Sequence, residues 1–277
     1  MNVALLFYGE ARNIDYGYQT VQNFKSLDKE FDTDVFIHTW DNITKRTKNI
    51  FHFLRAGGDI NKCILQSNLT HVELRDKYNP VVFLNESKCV LDGYVDKFKH
   101  IKPDQHEHNK LAIQLSNTPP FSQMYSTYKV FDIFKNYSIT NNKKYDLILI
   151  TRTDCLFKEK YVTEKNIKWF CKYFAERNYL LVERISLRPE NKQSNVWVYN
   201  GYMLSNFDMF DSLYTDFPKY PIGMGKDPDS PRTGNSHAEF AKYLLNETCL
   251  NTVFPICATS HPLFKGRFFH LPFDHLK

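Results

Sequence analysis

The chain has 277 residues, with 36 basic and 31 acidic side chains and a formal charge of +5. Hydrophobic residues at 42%, with only 10 glycines and 12 prolines, exclude collagen-like, linker-like and disordered readings. The charge is small and both signs are interspersed, which excludes a nucleic-acid surface but still suits a small polyanion such as a nucleotide diphosphate.

The first forty residues read as a βαβ unit. Val3–Tyr8 is a continuous apolar run, the pattern of a strand buried on both faces. A polar turn from Gly9 to Tyr16 follows, and then apolar residues recur at helical spacing at Tyr18, Val21, Phe24 and Leu27. Asp34–Trp40 is a second strand. A helical run from Ile43 to Leu54 stops at Gly57-Gly58, a further helix from Thr70 to Tyr78 ends at Asn79-Pro80, and Val81–Leu84 is a third strand. The stretch from Asn85 to Pro120 is polar and rich in His and Lys, and is expected to form an inserted lid or acceptor region.

Periodicity returns at Phe121 with a helix of about four turns, followed by a turn at Asn141–Lys144 and a strongly apolar strand, Tyr145–Thr151. Then come a helix at Glu164–Arg177, strands at Tyr179–Glu183 and Val196–Leu204, and a helix at Phe207–Leu213. A Pro/Gly-rich segment, Pro218–Asn235, precedes a helix at Ser236–Asn246, and the tail, Thr252–Leu271, carries short strands. Alternating strands and helices predict one α/β domain over residues 1–277 with a mixed, mainly parallel sheet flanked by helices.

No stretch reaches the 18 or so apolar residues of a membrane span. The first residues lack a basic n-region and run straight into a strand, so no secretory signal is expected. Six cysteines are scattered without a C-x-x-C pair, which predicts free thiols and a cytoplasmic chain.

Ligands bind outside the carboxyl ends of strands in open α/β sheets, so the polar residues that follow the three clearest strands carry the interest. These are Gly9, Glu10, Arg12 and Asn13 after the first, His38, Trp40 and Asp41 at the end of the second, and Arg152 and Asp154 after the Tyr145 strand. Arg12 and Arg152 can clamp a diphosphate, because guanidinium forks match phosphate oxygens. Asp154 can hold a divalent cation that bridges those phosphates; the alternative is a surface Arg–Asp pair after a strand. Tyr8 and Trp40 are candidates for stacking on a nucleobase or sugar, although core packing is the commoner role of a single aromatic. Gly223-Met-Gly-Lys226 lacks phosphate-loop spacing, Gly9 stands outside any G-x-G-x-x-G, and His106-Glu-His108 sits in an unpatterned polar stretch. His237-Ala-Glu239 has no P-C-x-x-C downstream, which excludes a zinc deaminase.

Four segments resemble one family: Val3-Ala-Leu-Leu-Phe-Tyr-Gly-Glu-Ala-Arg-Asn13, Asp34-Val-Phe-Ile-His-Thr-Trp40, Gln123-Met-Tyr-Ser-Thr-Tyr-Lys129 and Tyr145-Asp-Leu-Ile-Leu-Ile-Thr-Arg-Thr-Asp154. They are similar to the GT-A-like glycosyltransferases of bacteria, phages and large DNA viruses, over most of the chain and least from Asn85 to Pro120. The resemblance implies a single GT-A-like, Rossmann-like domain. It places the D-x-D metal motif on Arg152-Thr153-Asp154, where Arg replaces the first acid, and the donor-side glycine on Asn200-Gly201. It places the base-bearing x-E-D motif on His237-Ala-Glu239, and the metal-completing histidine on His270, with His261 as a rival.

The reaction this implies is transfer of a sugar from a nucleotide-diphosphate donor to an acceptor hydroxyl on a glycan or glycoconjugate. Glu239 is the expected base, with Asp41 second. Tyr8, Gly9, Arg12, Asn13, His38, Trp40, Arg152, Asp154 and Gly201 are the expected donor contacts. Asp154 and His270 are the expected ligands of Mn²⁺ or Mg²⁺. The competing readings are a non-catalytic nucleotide- or glycan-binding protein and a sugar-nucleotide nucleotidyltransferase; the latter usually needs a Gly-rich basic loop, and Gly9–Tyr16 has one Arg and no Lys.

Overall fold

The computed structural model describes residues 1–11, 14–27, 29–41, 71–87, 90, 119–157, 159–176, 179–187, 196–215 and 253–255. In chain order the elements are β1 (Asn2–Gly9), α1 (Ile14–Lys25), β2 (Asp32–Trp40), α2 (His71–Tyr78), β3 (Val82–Glu86), α3 (Pro119–Thr140) and β4 (Leu147–Arg152). A short 3-10 turn at Glu159–Tyr161 follows, then α4 (Glu164–Ala175), β5 (Leu180–Leu187), β6 (Val196–Ser205), α5 (Phe207–Thr215) and β7 (Val253–Pro255).

The strands form one mixed sheet in the order β3-β2-β1-β4-β6-β5-β7. The pairs β1–β2, β1–β4, β2–β3 and β5–β7 are parallel, and β6 runs antiparallel to both β4 and β5. The fold is therefore α/β with a mainly parallel sheet. Residues of β1 from Val3 to Phe7 have no solvent exposure, as a run apolar on both faces requires.

Strand alternation divides the core in two. Ala4, Leu6, Tyr8, Phe36, Trp40, Ile148 and Ile150 face α3 and α5, whereas Leu5, Phe7, Val35, Ile37, Leu147 and Leu149 face α1, α2 and α4. Edge-to-face aromatic contacts pin α3 to the sheet: Phe36 meets Phe134 at a centroid distance of 5.2 Å, and Phe134 meets Tyr145 at 5.1 Å. Each such ring contributes roughly 1.5–3 kcal/mol by burial.

α3 is longer than the periodicity predicts. Its 22 residues begin at Pro119-Pro120, which the sequence reading takes as the close of a loop. Proline fits the first turn of a helix, where the backbone N–H has no intrahelical acceptor, so the pair opens the helix. Helix α2 stops at Asn79, which takes φ 45° before Pro80. Asparagine tolerates that left-handed turn, and the residue before proline is driven out of the helical region. Thr163 caps α4 by accepting the Asn166 N–H at 3.3 Å, and Asn206 caps α5 by accepting that of Met209 at 2.8 Å. The helices expected at Ile43–Leu54 and Ser236–Asn246, the loop at Pro218–Asn235, and most of the region from Asn85 to Pro120 lie outside the described residues.

Among the described residues no helix is long and apolar enough to cross a membrane. Of the described cysteines, Cys155 and Cys171 are free thiols.

Candidate functional site

Strands β3, β2, β1 and β4 are parallel and end on one edge of the sheet. The chain leaves β1 toward β2 on one side, while β4 lies on the other, so the strand order reverses between β1 and β4. In open α/β sheets the ligand crevice lies at the carboxyl ends beside such a reversal, because the connections on either side of it run to opposite faces.

One row of residues crosses that edge. Tyr8 is paired with His38 of β2 and with Arg152 of β4. By alternation all three fall on the face that α3 covers, with Ile148 and Ile150 below Arg152. Gly201 is one position before Tyr202, which pairs with Thr151, so the register brings its backbone alongside the Arg152 end of β4. Gly9 follows Tyr8 with φ 98°, a conformation that L side chains rarely adopt, and nothing among the described residues lies within 4 Å of where a Cβ would be.

At the β4 end, Arg152 grips Asp154 with two hydrogen bonds. Nε donates to Oδ1 at 2.7 Å, and Nη2 donates to Oδ2. The Asp154 charge, opposed by burial, pushes the guanidinium still further above its ordinary range. Cys155 Sγ lies 3.7 Å from Asp154 Oδ1. The Thr153 side chain donates to Glu10 O at 2.9 Å, and Gly17 N of α1 donates to Thr153 O at 3.1 Å, so this loop is tied to the β1 exit and to α1.

At the β2 end, His38 has no solvent exposure. Its Nε2 lies 2.9 Å from Glu86 Oε2, and its Nδ1 lies 2.6 Å from Ser126 Oγ. Ser126 Oγ also accepts the Gly9 N–H at 2.9 Å. Burial pushes His38 below its usual value, against the pull of Glu86. Burial acts to raise Glu86, but the hydrogen bond from His38 and the ammonium of Lys129, 3.9 Å from Oε1, hold it low. The pair thus carries a neutral imidazole and an ionised carboxylate.

Tyr8 and Trp40 are each 1% exposed. Trp40 stacks on Tyr125 at 5.7 Å and meets the His38 ring edge-on at 4.9 Å. The Tyr8 hydroxyl accepts from Gln123 Nε2 at 3.2 Å, and burial raises its phenol, keeping it neutral. Both rings pack in the core. Asp41, exposed, follows β2, and its N–H donates to Glu86 O at 2.9 Å.

The edge therefore gathers Tyr8, Gly9, His38, Trp40, Asp41, Arg152, Asp154 and the Gly201 backbone. Arg12, Asn13, Glu239 and His270 lie outside the described residues. Sequence reasoning missed the roles of Glu86, Gln123, Tyr125, Ser126 and Lys129. The available signal was Ser126-Thr127 interrupting an apolar helical stripe, since a polar residue on a buried face needs a partner.

The described donors do not fit a divalent cation by themselves. Asp154 commits both oxygens to Arg152, and among the described residues no group of three His, Cys, Asp or Glu side chains could hold a metal ion. Comparison with protein-family models and with curated proteins gives no match for this chain.

Proposed function

We propose that the crevice between β1 and β4 binds the diphosphate of a nucleotide sugar, and that the protein transfers the sugar to an acceptor hydroxyl of a glycan or glycoconjugate. The observation that carries this reading is the register that pairs Arg152 with Tyr8, one residue before the positive-φ Gly9, at the reversal of strand order. A guanidinium fork matches phosphate oxygens, and a glycine lets a ligand approach the main chain closely. The GT-A resemblance supplies the reaction class.

In this mechanism the leaving diphosphate gathers negative charge, and Arg152 stabilises it, with Arg12 as the second expected guanidinium. Glu239 takes the acceptor proton, and Asp41 is the alternative carboxylate. Gly201, which the register sets alongside Arg152, is the expected donor-side glycine. A divalent cation, Mn²⁺ or Mg²⁺, is a further part of the proposal and would take an Asp154 oxygen from Arg152. No step here is routed through it. The bidentate Arg152–Asp154 pair also favours a second reading, nucleotide or glycan binding without turnover, because it ties up the carboxylate that a catalytic cation would need.

A thermal-shift screen of nucleotide diphosphates and nucleotide sugars, with Mn²⁺, Mg²⁺ or EDTA, tests both readings. A ligand at 100 times its Kd adds roughly 2.7 kcal/mol of stability. A shift with one nucleotide sugar, together with slow release of free sugar, is the expected result. A shift without release supports the binding protein, and no shift with any donor refutes the site.

A further inference from the structure

We infer that Glu86, His38 and Ser126 form a positioning relay that fixes the Gly9 main chain for a diphosphate in the crevice; this rests on the donor site proposed above. A hydrogen inventory carries the inference. Gly9 N–H donates to Ser126 Oγ. The serine hydroxyl then has one proton, and the acceptor within reach is His38 Nδ1 at 2.6 Å. His38 must therefore be protonated on Nε2, which faces the Glu86 carboxylate at 2.9 Å. Every donor has an acceptor in this one arrangement. It links a partly open carboxylate on β3 to the backbone of β1, two strands and about 10 Å away.

The sequence of contacts resembles a nucleophile triad, but Ser126 has no solvent exposure and spends its oxygen on Gly9, so no substrate can reach it. Packing alone does not account for the trio either. A hydroxyl and an imidazole buried side by side demand full hydrogen bonding, where apolar residues would fill the same space without that demand. What the polar trio adds is a fixed orientation for the Gly9 N–H. Gly9 holds φ 98° with no described residue within 4 Å of where a Cβ would be, next to the rung that joins Tyr8 to Arg152. The relay thereby sets how close a phosphate can come to the β1 main chain while Arg152 holds its charge.

The test titrates the full chain with inorganic pyrophosphate by calorimetry and reads the His38 tautomer from imidazole nitrogen shifts. Wild type is expected to bind pyrophosphate and to carry the His38 proton on Nε2 at pH 7. Ser126→Ala is expected to weaken binding about tenfold, which corresponds to about 1.4 kcal/mol. Glu86→Gln, which keeps the size but removes the charge that fixes the tautomer together with the Ser126 hydroxyl, is expected to shift part of the proton population toward Nδ1 and weaken binding several-fold even where melting is unchanged. A merely structural role would lower the melting point of either variant and leave the tautomer and affinity of the folded fraction alone. If wild type and Arg152→Gln bind pyrophosphate equally, or neither binds, the donor site fails and the relay loses its ligand. If wild type binds through Arg152 while Ser126→Ala and Glu86→Gln bind as tightly, the relay alone is refuted, as it is by a proton on Nδ1 in wild type.

Discussion

Gly17→Ala offers the sharpest check on the packing that holds the Asp154 loop. In an isolated helix this change is favourable, since glycine costs about 0.8–1 kcal/mol relative to alanine in a helix interior. The structure predicts the opposite sign. A Cβ on Gly17 would sit 2.3 Å from the Tyr78 hydroxyl, 2.7 Å from Thr153 O and 3.2 Å from Phe7 Cε1. None of these neighbours yields easily. Tyr78 is fully buried and donates to Ile14 O, Phe7 is in an interior strand, and Thr153 O accepts the Gly17 N–H itself. Overpacking of this kind costs about 1–3 kcal/mol. Displacing Tyr78 from Ile14 O leaves a buried polar group without its bond, a further penalty of about 1–3 kcal/mol.

Set against the gain in helix propensity, the net loss is about 1–5 kcal/mol. For a chain of this size that lowers the melting temperature by roughly 2–10 °C. Urea unfolding followed by circular dichroism measures it directly. Tyr78→Phe in the same chain removes the atom with the closest approach, so the double variant should lose less than the sum of the single losses. A Gly17→Ala protein as stable as wild type, or more so, would falsify the close approach of α1 to the β4 exit.

Three other outcomes follow from the site. Unfolding free energy should fall as pH drops through 6.5, because the unfolded imidazole takes a proton that buried His38 refuses, and fall again below about 4.5 as the unfolded Glu86 carboxyl protonates; an identical first step in His38→Gln would assign it to other histidines. Asp154→Asn frees Arg152 from its anion and should tighten pyrophosphate binding about 3- to 10-fold in EDTA, or about 0.6–1.4 kcal/mol. Weaker binding there, with wild type needing Mn²⁺, would make Asp154 the cation anchor instead. Glu239→Gln should lower kcat about 10²- to 10⁴-fold with donor affinity nearly unchanged; turnover within a few-fold of wild type removes Glu239 from the mechanism.

The parts of the fold legible in the sequence are those whose pattern is local. Val3–Tyr8 is apolar without interruption, as is Leu147–Ile150 within Tyr145–Thr151, and only a strand covered on both faces needs that. Asn79-Pro80 stops a helix by backbone sterics alone, so its end is readable to the residue. The start of α3 was misplaced because Pro119-Pro120 has two meanings, a loop or a first helical turn, and the choice depends on what the helix packs against. The reversal of β6 was equally hidden. Nothing in Val196–Leu204 distinguishes a strand parallel to its neighbours from one opposed to them.

The site divides along the same line. Arg152 and Asp154 were legible as polar residues at the end of an apolar strand, and an Arg–Asp pair was one of the two readings open there; the choice was not legible, because a two-residue separation permits either engagement or divergence at a strand exit. That bond changes the argument about the chemistry. A free Asp154 at the crevice would be a ready cation ligand, whereas one held by Arg152 is already neutralised until something separates the pair. An incoming diphosphate is suited to do so, since it offers the guanidinium two or more oxygens in place of one carboxylate. Arg152 would then exchange one bidentate partner for another at small net cost. Glu86 and Ser126 were not legible at all, for a different reason. They meet His38 from residues 48 and 88 positions away in the chain, and no local pattern carries a contact of that range. What a sequence does carry is the demand: a histidine in an apolar strand must be satisfied by something, and the serine on the buried face of α3 is the group that answers it.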